Sequence, residues 1–114
     1  MEKTSVFIYD EISDRLFISA KKEEDVIYGS VRLLNLTLDF TTDKRVVNIE
    51  MRGASVYLES LGINPEILDN LTGAEIVVQQ QRDGFLIYFI LQAGEYVERV
   101  PYNILTDKTI STSA

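Results

Sequence analysis

Two groups of carboxylates are the first residues in the chain that could do chemistry. Asp10, Glu11 and Asp14 stand together near the start, and Asp39, Asp43 and Glu50 stand together further on. Hard carboxylate oxygens converging from two turns are the ligands that Mg²⁺ or Ca²⁺ prefers, so Asp10, Asp14, Asp39 and Glu50 are the candidate metal ligands of a cation-binding domain or metal-assisted hydrolase. The spacing matches no EF-hand loop or other dedicated cage. The competing assignment is structural: Asp10, Asp14 and Asp43 cap the backbone of their own turns and the other acids are solvated. Glu50 lies among apolar strand residues, where burial would raise a carboxylate pKa toward that of a general base. No second catalytic partner accompanies it.

The rest of the composition removes most other reactions. The chain has no Cys and no His, which excludes disulfides, Cys/His zinc centres, thiol nucleophiles and histidine triads. Its six glycines are scattered singly, with no phosphate-cradling cluster. A net charge of −7 without a local basic patch disfavours nucleic acid and anionic membrane surfaces as partners. Phe85, Tyr88, Phe89, Tyr96 and Tyr102 would suit base stacking only with neighbouring cations, and Arg82 and Arg99 sit amid Asp83, Glu95 and Glu98. Phe85, Tyr88, Phe89 and Tyr96 therefore read as core or subunit-interface aromatics. The apolar run Phe85 to Leu91 is far shorter than a membrane span, and an acidic residue at position 2 does not suit a secretory signal, so a cytoplasmic location is expected.

The elements that must position these residues are mostly strands. Val, Ile, Phe, Tyr and Thr make up 41 of the 114 residues, a set that suits a pleated surface. Ser5 to Asp10 and Arg15 to Ala20 form a hairpin about Glu11 to Asp14, and a third strand begins near Val26 with a turn or bulge at Gly29-Ser30. From Leu34 the pattern alternates, with Leu34, Leu36, Leu38 and Phe40 on one side. A turn over Thr41 to Lys44 returns the chain through Val47, Ile49 and Met51, pairing Leu38 with Val47, Leu36 with Ile49 and Glu50 with Asn35. Asn64-Pro65-Glu66 starts a short helix over about 64–71, and Ser55 to Leu61 can add another turn or two of helix. A meander follows, with Asp83-Gly84 and Ala93-Gly94 as its turns. Its middle strand, Phe85 to Leu91, is apolar on both flanks and so is expected to be central and covered on both sides, by the helix, by another sheet or by a partner subunit.

The first half also carries a pattern: Tyr9-Asp10, Asp14, Leu16-Phe17-Ile18, then Leu38-Asp39, Asp43, Val46-Val47, Ile49-Glu50 and Ala54-Ser55. Over residues 5–58 this resembles a short bacterial and archaeal family known only as domain of unknown function 2283. Lys44 or Arg45 stands at that family's turn glycine and Asn48 at its glycine before Ile-Glu. Asn is among the residues that best tolerate the positive φ a glycine position can require. The resemblance implies a small β-rich unit that associates with itself, and it implies no reaction.

The expected fold is α+β, mostly antiparallel sheet from both halves, with the short helix packed on one face. One domain spans 1–105, followed by a C-terminal tail over 106–114. The expected function is a non-enzymatic protein-interaction module acting as a homo-oligomer, because the strands carry more apolar surface than one short helix can cover. The alternatives are a Mg²⁺ or Ca²⁺ domain built on the four acids and a small-molecule binder with a β-lined cavity.

Overall fold

A computed structural model describes residues 6–82 and 84–105, so the expected C-terminal tail over 106–114 lies outside the described residues. The fold is mostly antiparallel β with two short helical segments, as the composition requires. Strands β1 (Val6–Asp10), β2 (Arg15–Ser19), β3 (Ile27–Leu33), β4 (Leu36–Thr41) and β5 (Val46–Arg52) form one sheet in the order β1-β2-β5-β4-β3. Helix α1 (Ala54–Ser60) and a 3-10 helix (Pro65–Asn70) lead into β6 (Gly73–Gln81), β7 (Gly84–Ala93) and β8 (Tyr96–Leu105), a meander forming a second sheet in the order β6-β7-β8.

The two sheets share one core. Strand alternation sends Leu16, Ile18, Leu36, Leu38, Ile49 and Met51 inward from the first sheet to meet Ile87, Phe89, Leu91 and Val100 of the second, with Ala54, Leu58, Ile67 and Leu68 supplied by the helical segments. Tyr102 ties the layers together. It is buried, its ring lies 4.9 Å from that of Tyr57, and its hydroxyl donates to Asn35 Oδ1 in the β3–β4 turn. Burial pushes the Tyr102 phenol pKa up. Asn35 in turn donates from Nδ2 to the Arg52 carbonyl (2.8 Å), and Arg52 reaches back to Leu34 O and Thr37 Oγ1.

Several local expectations shift. Leu34 does not open a strand: Leu33 pairs with Leu36, so Leu34-Asn35 is the turn, and Leu34 adopts φ 53 with its side chain 84% exposed. Leu38 pairs with Ile49 and Leu36 with Met51, two residues from the expected register, and Glu50 faces Thr37 instead of Asn35. A two-residue slip preserves which side chains point inward, so the hydrophobic pattern cannot distinguish the two registers. Turn geometry decides. Lys44 takes φ 68, its amide donates to Thr41 O, and irregularities in the ladder fall on both sides of Phe40. The irregularity at Gly29 is a bulge, with Ile27 paired to Thr41 and Gly29 to Phe40.

The segment after Asn64 is a 3-10 helix and not an α-helix, although Asn64 Oδ1 accepts from the Glu66 amide and Pro65 occupies its first turn as expected. Leu71 must already be extended to feed β6, which leaves too few residues for two α turns. The α-helix is Ala54–Ser60. In the meander, Gln81 pairs with Gly84 and Ala93 with Tyr96, so Gly84 and Ala93 are strand residues and the turns shift by one position.

Candidate functional site

The acids predicted as metal ligands are dispersed by the first sheet. Asp10 accepts from the Ile12 amide (3.1 Å) and Ser13 Oγ (2.9 Å), capping its own turn as the structural assignment expects. Asp39 accepts from Ser30 Oγ (2.6 Å) and Asn48 Nδ2 (2.9 Å), and Glu50 is half-buried and paired with Arg15 at 3.1 Å. The pairing of Asp10 with Arg15, Glu50 with Thr37 and Asp39 with Asn48 spreads these three over successive rows of the outer face. Among the described residues no three acidic side chains come together as a metal site requires.

Asp14 does something else. Gly53 precedes α1 with φ 66 and has no side chain to cap it, and Asp14 supplies that function from the first hairpin. Its carboxylate accepts from the Ser55 amide (2.9 Å), Ser55 Oγ (2.8 Å) and Tyr9 OH (2.6 Å), while its carbonyl accepts from the Ala54 amide. Partial burial opposes ionisation of Asp14, but the bonds from Tyr9, Ser55 and the Val56 amide outweigh it and hold the carboxyl below its usual range. Burial, then the bond to Asp14, push the Tyr9 phenol well above its ordinary value. The Tyr9, Asp14 and Ala54-Ser55 parts of the sequence pattern therefore meet at one helix start. Lys44 holds the positive φ that a turn glycine serves, whereas Asn48 is an ordinary strand residue paired with Ser19 and Asp39.

An open cleft of about 870 Å³ lies at the end of the first sheet, lined by Tyr28, Phe40, Val46, Lys44, Arg45 and Val78. Arg45 is held by Asp25 and by Asp43 (3.1 Å), so acids beside the cleft offset this cation. Hydrogen bonds from Thr41 and Arg45 keep the Asp43 carboxyl below its usual range.

Two apolar features are left without a layer among the described residues: Val6 and Ile8, 59% and 58% exposed beside half-buried Phe17 at the β1–β2 edge of the first sheet, and the outer face of the meander, where the apolar residues run down the central strand. β7 is central, as expected, and Ile87, Phe89 and Leu91 are at most 1% exposed against the core. On its opposite flank Leu86, Tyr88 and Ile90 are half-buried, none packs on the core cluster, and no described element covers them, so of the three covers expected neither the helix nor another sheet supplies this one. Phase explains this, because successive side chains alternate between faces and the described residues offer one partner sheet. Val77 on β6 and Pro101 on β8 flank Tyr88, and Val97 extends the patch at 54% exposure. Arg99 lies over the Tyr88 ring, its guanidinium carbon 5.2 Å from the centroid.

The four aromatics named from the sequence thus separate. Phe89 is core, Tyr88 belongs to the open face, and Tyr96 is 54% exposed at the start of β8 with its hydroxyl on Glu98. Phe85 pairs through its backbone with Gln80 and Ile104, and its side chain lies outside the described residues. Leu86, Ile90, Val77 and Pro101 were missed as a surface. Their signal was the alternation within β7, read together with the register of both neighbouring strands.

No helix among the described residues is long and apolar enough to cross a membrane. No family model, curated protein or solved structure matches the chain.

Proposed function

We propose that the chain is a non-enzymatic self-association module whose contact surface is the open face of the meander. The observation that carries this reading is the Leu86, Tyr88 and Ile90 stripe, apolar, central in its sheet and without a layer among the described residues. An apolar sheet face flanked by polar residues is the usual form of a protein contact site. The occupant is a second copy of the chain, because Glu75 and Arg99 stand on opposite sides of the stripe and make the face complementary to itself in charge. The resemblance to domain of unknown function 2283 points the same way. What supports that resemblance is the physical role its pattern acquires, with Tyr9, Asp14 and Ser55 fastening the first hairpin to α1. Absence of cysteine suits a reducing compartment, and we place the module in the cytoplasm.

Sedimentation of the full chain across the micromolar range should return a species of twice 13.0 kDa, and Tyr88→Lys should return the monomer with its circular dichroism intact. A wild-type monomer at high micromolar concentration overturns the reading. Calorimetric titration with Mg²⁺ and Ca²⁺, expected to give no binding heat, separates it from the cation alternative.

A further inference from the structure

The register of the meander bears on the symmetry of the contact as well as on its existence, and that symmetry rests on the self-association proposed for the open face. On the outer face, Val77, Tyr88 and Pro101 form one row across the three strands, and Glu75, Ile90 and Arg99 form the next. Neighbouring strands are about 4.8 Å apart, so Glu75 and Arg99 sit at nearly equal distances on either side of Ile90 with opposite charges. Both are exposed.

From this row we infer that two copies pack face to face about a twofold axis running parallel to β7. Such an axis exchanges the β6 side with the β8 side while leaving height along β7 unchanged. Glu75 then falls opposite Arg99 of the partner subunit, and the reciprocal pair forms on the other side. Between these two crossed pairs the apolar stripes meet, and Val77 faces Pro101 of the partner subunit. An axis at right angles to β7 through the same row would instead set Glu75 against its own copy, an arrangement that like charges oppose. Both axes keep the strands of the two meanders aligned, a regular mode of sheet-on-sheet packing, so the charges decide between them.

The arrangement is isologous and closed, since each copy uses the same patch and none is left over. It stacks four layers, with the two meanders inside and the two five-stranded sheets outside. The outermost surfaces then carry the ladder of Ser19, Asn48, Asp39 and Ser30, joined by hydrogen bonds of 2.6, 2.9 and 2.6 Å, with Val6, Ile8 and Phe17 beside it at the β1–β2 edge.

Charge reversal tests the axis. Glu75→Arg makes both flanks of the stripe basic, and Arg99→Glu makes both acidic. Each variant alone should dimerise roughly tenfold more weakly than wild type or worse. An equimolar mixture of the two should form a one-to-one heterodimer by native mass spectrometry, and the double variant E75R/R99E should recover homodimer. Both sites are exposed, so circular dichroism should show every variant folded. If the single variants dimerise like wild type, or their mixture shows no preference for the heterodimer, the crossed-pair axis is wrong while self-association stands. If wild type itself stays monomeric, the reading on which the axis rests fails.

Discussion

The two outward sheet faces obey the same strand alternation and differ at their centres, since β5 and β4 of the first sheet put polar side chains outward where β7 of the meander puts apolar ones, and the first sheet's exposed apolar residues, Val6 and Ile8, stand on its edge strand. On the five-stranded sheet, Ser19, Asn48, Asp39 and Ser30 form a ladder of side-chain hydrogen bonds across β2, β5, β4 and β3, and Arg15 pairs with Glu50 in the neighbouring rows. On the meander, the corresponding positions of β7 are Leu86, Tyr88 and Ile90. The centre of the first face satisfies itself strand to strand and can remain wet. The central stripe of the second is mostly hydrocarbon, and burying it is favourable by roughly 25 cal/mol per Å² of apolar surface. A face's need for a partner is thus set by whether its cross-strand neighbours can satisfy one another.

The sharpest way to break the comparison is to cut each flank of β7 separately. Phe89→Ala should cost about 3–5 kcal/mol in urea unfolding, because Phe89 is 1% exposed in the shared core. Tyr88→Lys, one residue away, should cost about 1 kcal/mol or less when measured below the association range. Equal losses would mean that the outer flank is structurally covered.

Asp14→Ala comes next, at about 1–3 kcal/mol, since it removes a helix cap and leaves Tyr9 and Ser55 without their acceptor. The folded-state pKa of Asp14 is depressed, so its contribution is present above the unfolded value near 3.9 and is lost as pH falls through the folded value. Asp14→Asn should therefore flatten the acid limb of the stability profile. Tyr9 has the opposite sign: its raised pKa gives a contribution present below about pH 10 and lost as pH rises further, which Tyr9→Phe should abolish.

Cutting the polar ladder should cost less. Asn48→Ala removes bonds to Ser19 and Asp39, but both remain half-solvated, so thermal unfolding should register about 1 kcal/mol. The smallest effect is a gain: Leu34→Gly should stabilise by about 0.5–1 kcal/mol, because Leu34 holds φ 53 with its side chain 84% exposed.

Much of this architecture was legible where one physical signal dominated. Strand alternation located Leu36, Leu38, Ile49 and Met51 in the core, and the long apolar run made β7 central. The register of β4 on β5 was not legible, because slips of two residues look alike to a pattern of period two. Nor was the turn at Leu34, where contacts from Asn35 to Arg52 and Tyr102 impose a conformation that leucine avoids. Asp14 was invisible for a different reason. The Ser55 groups it caps lie 41 residues away, and the one near partner, the Tyr9 hydroxyl, does not announce a helix cap in the sequence. The open face was half legible: greasiness on both flanks of β7 was plain, but which flank the core would take depends on the phase of β7 against a sheet made elsewhere in the chain.

The borrowed cap at Gly53 has a consequence for the order of events during folding. A seven-residue helix is too short to persist alone, and α1 draws on a carboxylate delivered by the first hairpin. That hairpin, with the returning β5 strand against it, must consolidate before α1 gains a durable start. The meander comes after α1 in the chain and docks partly on Leu58 and Tyr57, so it assembles last. During synthesis the sticky stripe of β7 would then emerge onto a largely finished platform, which shortens the time its inner flank spends unprotected.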